Sequence, residues 1–142
     1  MPKGQQNIRS LLGTTPTKVI EWPSPTLEAA FNYGPAPICI SGGFGAGKTM
    51  CLLYKALYLS DTYPCNRGVI ARKISKELER TTQATFWKIC PPRAYDPQLG
   101  GRRADSENYL RLAGSQSEIL WLHLDDQDIE GILRGLEINW FI

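Results

Sequence analysis

One stretch of this 142-residue chain has the residue types and the spacing for phosphate chemistry. Positions 41–49 read Ser-Gly-Gly-Phe-Gly-Ala-Gly-Lys-Thr, in which Gly42, four further residues, Gly47, Lys48 and Thr49 satisfy the phosphate-loop pattern. Glycines allow backbone N–H groups to close around phosphate oxygens in conformations that a Cβ would obstruct. In this pattern the lysine ammonium reaches the β- and γ-phosphates, and the threonine hydroxyl ligates Mg²⁺.

The stretch therefore predicts a nucleoside triphosphate site, with ATP and Mg²⁺ as its ligands. We expect Lys48 to serve catalysis as well as binding, and Thr49 to be the Mg²⁺ ligand. The predicted binding residues are Gly42, Gly43, Phe44, Gly45, Ala46, Gly47, Lys48 and Thr49. The alternative is an ordinary glycine-rich turn that binds no ligand.

Two flanking elements must position this loop. Residues 36–41 are mostly apolar and predict a short buried strand, whereas residues 50–58 predict a helix that runs to about Ser60. A strand, a glycine loop and a helix in this order form the setting that the motif requires. A helix that begins here points the positive end of its dipole at the same anion.

The rest of the chain alternates between helix and strand patterns. Ser24 and Pro25 are helix-start signals, and Tyr33-Gly34-Pro35 ends that helix. The alternation predicts an α/β fold with a mostly parallel sheet, helices on both faces and an inserted β-hairpin. The further predicted elements are a strand at 68–73, a helix at 76–89, a loop at 93–105, hairpin strands at 107–112 and 117–124, a short helix at 128–133 and an apolar strand at 136–142.

Length and composition limit the other possibilities. The chain has room for one domain, and its 42% of hydrophobic residues suits a globular core. Residues 1–16 are polar and predict a flexible arm, and residues 18–22 could form a short strand. The net charge of +2 argues neither for nor against nucleic acid. No apolar run approaches membrane-spanning length and no signal peptide is evident, so we expect a cytosolic protein without a membrane partner.

The cysteines and the single histidine favour structural roles. Cys39, Cys51, Cys65 and Cys90 form no CxxC pair and have no histidine at metal-ligand spacing. We expect reduced cysteines rather than a metal site, with Cys39 in the buried strand before the loop. His123 lies in an apolar run, where packing is favoured over catalysis.

Taken in order, these motifs resemble the ATPase domain of the large terminase subunit, the DNA-packaging motor of tailed double-stranded DNA phages. The loop at 41–49 is similar to that family's Walker A motif. The other similar segments are 69–73, 77–78, 81–82, 113–115, 119–122 and 133–135. The last of these precedes an apolar strand, which in the family runs directly into the Asp-Glu pair of Walker B.

The resemblance implies a P-loop NTPase fold of the RecA/ASCE type. It implies that residues 17–142 are the N-terminal part of the ATPase domain, truncated at the Walker B strand, because the Walker B acids, the coupling motif and the nuclease domain would follow Ile142. The implied function is ATP hydrolysis with Mg²⁺ that drives double-stranded DNA into procapsids. The implied partners are DNA, the portal protein, the small terminase subunit and further copies in a ring, in the host cytoplasm.

Some positions depart from the family pattern or gain a candidate role from it. Phe44 stands where many relatives carry a basic residue, and Glu28 lies near the place of a glutamine that contacts adenine. Arg134 falls at the place of a trans-acting arginine, which would stabilise charge on the γ-phosphate of a neighbouring subunit. A surface cation at the end of a helix is the alternative for Arg134.

The sequence leaves two possible roles for each of four other arginines. Arg72 ends a strand on the ligand side of the sheet, where it could contact phosphate or DNA, or pair with Glu77 or Glu79. The remaining arginines, Arg93, Arg102 and Arg103, could touch DNA phosphates or belong to a solvated loop.

Two other functions are compatible with the loop. A small nucleotide or metabolite kinase uses the same loop, and a nucleotide-binding module without turnover would also fit.

Two acidic residues could contribute to the metal site. Asp125-Asp126 could hold the metal, although the pattern is more typical of the start of a helix. The apolar residues 140–142 predict an exposed sheet edge, so we expect the isolated chain to associate with itself or with a partner.

Overall fold

The computed structural model of the chain describes residues 22–34, 36–125 and 129–142. The predicted arm at 1–16 and all of the predicted strand at 18–22 except Trp22 lie outside the described residues, as do Asp126 and Asp128. The division into an arm and a domain at 17–142 stays a prediction.

Helices and strands alternate along the chain in an α/β fold. The helices are α1 (Pro25–Asn32), α2 (Lys48–Thr62), α3 (Ser75–Glu77), a π-helical stretch (Leu78–Gln83), α4 (Ala84–Ile89) and α5 (Ile129–Arg134). Short 3₁₀ turns cover Pro92–Tyr95, Pro97–Leu99 and Asp105–Glu107. The strands are β1 (Arg67–Arg72), β2 (Arg102–Ala104), β3 (Tyr109–Arg111), β4 (Glu118–His123) and β5 (Trp140–Phe141).

The five strands form one sheet in the order β2-β3-β4-β1-β5. β1 is parallel to both β4 and β5, whereas β3 is antiparallel to β2 and β4. The predicted hairpin is confirmed as the β3–β4 pair. The prediction of a mostly parallel sheet is wrong, because the hairpin brings two antiparallel pairings into the same sheet and the sheet is therefore mixed.

The predicted buried strand at 36–41 is also wrong. These residues form no ladder with any described strand, and Cys39 is exposed rather than buried. Ile38 and Ile40 are half-buried, and Ile40 packs with Leu27 and its neighbours. Apolar composition predicts burial, but a strand also needs a hydrogen-bonding neighbour, and α1 and α2 supply side-chain contacts only.

α1 begins and ends as its sequence predicts. The Ser24 hydroxyl accepts a hydrogen bond from the Leu27 amide at 3.3 Å, which caps the first turn of the helix. At the other end, Lys55 Nζ donates to the carbonyls of Ala30 and Tyr33 at 3.1 and 2.8 Å. Because Lys55 belongs to α2, this contact fixes the end of α1 against the helix that follows the glycine loop.

The main core lies between one face of the sheet and the helices α2 and α4. Its sheet side chains come from alternating positions of β1, β3 and β4, as the two-residue period of a strand requires. The fully buried members are Leu53, Ala56, Leu57, Ile70, Leu78, Phe86, Cys90, Ala94, Leu110, Leu112, Ile119 and Trp121. On the opposite face Leu120 and Leu122 are half-buried. Helices over both faces therefore remain a prediction.

In the turn between α2 and β1, one side chain contacts two elements. The Asn66 amide donates to the Leu59 and Tyr63 carbonyls at 2.8 Å each, and its Oδ1 accepts from Trp140 Nε1 at 3.2 Å. Asn66 therefore connects the last turn of α2 to β5. Because only four residues separate α2 from β1, α2 runs antiparallel to β1 and begins near the end of that strand.

The predicted loop at 93–105 contains regular structure that the sequence did not indicate. Residues 102–104 form β2, which pairs with β3, and two 3₁₀ turns precede it. Among the described helices, of which α2 with 15 residues is the longest, none has the length and hydropathy of a membrane span.

Candidate nucleotide-binding site

The glycine loop has the backbone conformation that only its glycines adopt readily. Gly45 and Gly47 have φ angles of +74° and +82°, in the left-handed region. A Cβ at Gly47 would also lie 3.2 Å from Leu27 Cδ1 on α1. The spacing of glycines in the motif therefore corresponds to a backbone requirement at these two positions.

α2 begins at Lys48 without a side-chain cap. Gly47 occupies the N-cap position, and it has no side chain to accept a hydrogen bond from the first backbone N–H groups. The first intrahelical bond runs from the Cys51 N–H to the Gly47 carbonyl at 2.9 Å. The earlier N–H groups of a helix have no intrahelical acceptor, and the helix dipole makes this end positive. An anion in the loop would supply the missing acceptors.

The Lys48 side chain folds back over the loop. Its Nζ donates to the Gly42 carbonyl at 2.7 Å and to the Gly43 carbonyl at 2.6 Å. The ammonium is thereby held against the backbone of the loop. Of the eight consecutive residues predicted to bind, Thr49 is half-buried in the first turn of α2 and Phe44 is fully exposed.

The donor set for a metal is small. Within the described residues, no group of three histidine, cysteine or acidic side chains is placed to hold a metal ion. The Thr49 hydroxyl is the ligand that the loop itself offers. This set fits Mg²⁺, which usually keeps several waters and binds through few protein ligands together with substrate phosphates. Asp125 lies two residues after the end of β4, and Asp126 lies outside the described residues.

An apolar groove lies beside the loop, between α1 and the segment that leads into the glycines. It is lined by Thr26, Ala29, Ala30, Tyr33, Ile38, Cys39, Ile40 and Ser41. Glu28, in the first turn of α1, is half-buried. The sequence places Glu28 near the position of a glutamine that contacts adenine in the terminase family, and the groove lies beside the same helix.

Arg134 is exposed and already has a partner. Its guanidinium forms an ion pair with Glu130, one turn earlier on α5, and its side chain is 77% exposed. This placement matches the expected surface cation at a helix end. A trans-acting role for Arg134 stays a prediction.

Arg102 and Arg103 lie on β2 rather than in a solvated loop. Arg102 pairs with Glu107 at 2.8 Å, and Arg103 forms two hydrogen bonds to Asp105 at 2.7 and 2.9 Å. The Arg103 guanidinium also stacks over the Trp87 ring, with its Cζ 3.9 Å from the ring centroid. The Arg103 guanidinium therefore holds β2 against Trp87, whereas Arg102 forms an exposed ion pair. A contact of either one, or of Arg93, with DNA stays a prediction.

Arg72 does not pair with Glu77 or Glu79. Its Nε donates instead to Thr82 Oγ1 at 3.0 Å, and Thr82 is 4% exposed within the π-helical stretch. The sequence included Thr82 only in the segment 81–82 that is similar to the terminase family, and it did not indicate the contact with Arg72, because a π-helical register has no clear sequence signal. Thr82 lies outside the contiguous loop motif.

The four cysteines form no disulfide among the described residues. All four are free, and burial raises the pKa of the Cys51 thiol above its ordinary value although Lys55 acts to lower it. Burial raises the pKa of Cys90 to about 12. The predicted reduced state therefore agrees with the structure, and these two thiols are too weakly acidic to be nucleophiles near neutral pH.

No family model, curated protein or solved structure matched this chain in the comparisons that were made. The chemistry of the site therefore has to be inferred from its own residues and their geometry.

Proposed function

We propose that the chain binds a nucleoside triphosphate with Mg²⁺ at the loop from Gly42 to Thr49. The observation that carries this proposal is the uncapped start of α2, preceded by two glycines in the left-handed region and covered by the Lys48 ammonium. Each of these features leaves hydrogen-bond donors or positive charge available to an anion. A serine, threonine, asparagine or aspartate at the N-cap would satisfy one of these N–H groups with its own side chain.

The proposed biological role is that of the ATPase part of a phage terminase large subunit. Its support is the resemblance of the ordered motifs, and the partners proposed with it are double-stranded DNA, the portal protein, the small subunit and further copies of the chain. The α/β fold and the β3–β4 hairpin are compatible with this role. The host cytoplasm is its proposed location.

The residues of the loop have separate tasks in the proposed reaction. The backbone N–H groups of the loop and of the first turn of α2 bind the phosphates, and Lys48 leaves the Gly42 and Gly43 carbonyls to contact phosphate oxygens. Thr49 would hold Mg²⁺, which neutralises charge on the phosphates when it is bound. These residues orient the triphosphate, and positioning with charge stabilisation is the main source of catalysis in phosphoryl transfer.

Calorimetric titration of the chain with ATP in Mg²⁺ tests this proposal. Lys48→Ala should weaken ATP binding at least about tenfold, because a charge-assisted contact to phosphate is lost. Thr49→Ala should retain binding in EDTA but lose the gain in affinity that Mg²⁺ provides. Lys88→Ala, on the exposed surface of α4, is the matched control. Equal ATP affinity in the wild type and Lys48→Ala would contradict the proposal.

Turnover separates the motor role from the two alternatives. ATP hydrolysis that exceeds that of Lys48→Ala and rises with double-stranded DNA supports a packaging ATPase. Binding without turnover supports a nucleotide-binding module. Transfer of phosphate to a small acceptor supports a kinase and contradicts the motor.

A further inference from the structure

Arg72 has a guanidinium that the rest of the described chain leaves largely unsatisfied. The side chain is half-buried, and it forms no ion pair with any described carboxylate. Its Nε is bonded to Thr82, whereas its two terminal nitrogens make no hydrogen bond to the described residues. A half-buried cation without a counter-ion is costly, so this arrangement favours the arrival of an anion from outside the chain.

Thr82 fixes the direction of this guanidinium. The hydroxyl is buried and accepts from Nε at 3.0 Å, which leaves the outer fork of the guanidinium available. Thr82 lies in a six-residue π-helical stretch, and π-helical turns often occur at functional sites. An arginine fork of this kind matches two oxygens of a phosphate.

The topology brings Arg72 to the same end of the sheet as the glycine loop. Side chains alternate along β1, so Arg72 lies on the face that carries Ile70, and Ile70 shares the core with Leu53 and Leu57 of α2. α2 packs on β1 and is separated from the start of β1 by four residues, so its first turn lies towards the carboxyl end of that strand. Arg72 is the last residue of β1 and therefore lies at the end of the sheet towards which Lys48 and Thr49, in the first turn of α2, are placed.

We propose that Arg72 is a second cationic contact for the triphosphate, directed at its terminal phosphate, with Thr82 as the residue that positions it. This inference rests on the proposed function, because it assigns a further residue to the same ligand. The loop N–H groups and Lys48 hold the phosphates that enter the glycines. Arg72, at the carboxyl end of β1, recognises the phosphate that extends beyond them, and so it distinguishes ATP from ADP.

The test compares the affinities of the whole chain for ATP and for ADP in Mg²⁺, by calorimetry. Arg72→Gln should weaken ATP binding about ten- to hundredfold and change ADP binding by less than about twofold. Thr82→Val should reduce the preference for ATP in the same direction but less, and Thr82→Ser should restore it. Arg80→Gln, an exposed arginine of the same π-helical stretch, should have no effect on either nucleotide.

The outcomes distinguish this inference from the proposed function. If the wild-type chain binds neither nucleotide, both proposals fail. If the wild-type chain binds both nucleotides, and Arg72→Gln either weakens ATP and ADP binding equally or changes neither affinity, only the role of Arg72 is overturned. If Arg72→Gln does not fold, the two Thr82 variants decide. A preference for ATP that is reduced in Thr82→Val but not in Thr82→Ser supports the role of Arg72. An unchanged preference in Thr82→Val overturns it.

Discussion

The indole ring of Trp140 fills the space in which a side chain at Gly68 would begin. A Cβ at position 68 would lie 1.9 Å from Cε2 and Cζ2 of that ring. The two residues are partners in the parallel pairing of β5 with β1, and the Trp140 N–H reaches Asn66 just before β1. The glycine therefore lets β5 bring an aromatic side chain onto the main core.

Gly68→Ala should destabilise the chain by at least about 2 kcal/mol, because the new methyl group overlaps the ring and forces Trp140 to move. Urea denaturation measures the effect. Gly34→Ala is the control, since a Cβ there meets nothing within 4 Å. In a Trp140→Ala background the Gly68→Ala substitution should cost much less, and equal costs in the two backgrounds would show that the overlap is not the cause.

Gly47→Ala should destabilise the chain by about 1–2 kcal/mol even without nucleotide, because φ is +82° and the new Cβ would crowd Leu27. Thermal denaturation without ligand separates this folding effect from any effect on binding. An unchanged melting temperature would mean that the loop relaxes freely around position 47. Gly34→Ala again provides the reference for adding a methyl group in open space.

Arg103→Lys should cost about 1 kcal/mol, because a lysine loses both the planar stack on Trp87 and the two-pronged contact with Asp105. Arg102→Lys is a close control on the same strand. Its side chain is 52% exposed, and a surface pair of this kind contributes little. Guanidinium chloride denaturation, followed by tryptophan fluorescence, would compare the free energies of unfolding of the two variants. Equal losses of stability would argue against a contribution from the stack of Arg103 on Trp87.

Stability should fall in acid partly through Glu118. Burial acts to raise the pKa of this carboxyl, but hydrogen bonds from Tyr109 and Arg67 outweigh it and leave the pKa below its ordinary value. A carboxyl with a depressed pKa in the folded state stabilises the fold above its unfolded pKa, and this contribution disappears as pH falls through the folded pKa.

Glu118→Gln should therefore lower stability near pH 7 and flatten its dependence on pH in the acidic range. Unfolding free energies from urea denaturation between pH 3 and pH 7 provide the measurement. Glu107→Gln, which removes an exposed carboxylate on the neighbouring 3₁₀ turn, controls for the change in net charge. A pH dependence in Glu118→Gln as steep as that of the wild type would contradict the assignment.

Local signals in the sequence predicted the parts of the fold that depend on neighbouring residues. The Ser24 cap, the helix after the glycine loop and the β3–β4 hairpin all follow from short-range patterns, and the structure contains them. The loop residues Gly42 to Thr49 were foreseeable for the same reason, since the motif is contiguous.

Features that depend on distant residues were not foreseeable in this way. β2 is short and begins with two arginines, and its position depends on Trp87 and on pairing with β3. The segment at 36–41 is apolar enough for a buried strand, but composition does not reveal whether a neighbouring strand is present. Thr82 contacts Arg72 from a π-helical stretch, and no residue pattern in the sequence predicts that register.

If the loop binds nucleotide as proposed, the uncapped start of α2 would couple ligand binding to folding. A phosphate in the loop would complete the hydrogen bonds of the first turn and act as the helix cap that Gly47 lacks. Nucleotide at a hundred times its dissociation constant should then add about 2.7 kcal/mol to the free energy of unfolding. The ligand would then be a structural component of the fold. Comparing the melting temperature in different nucleotides would show which of them binds, without any assay of turnover.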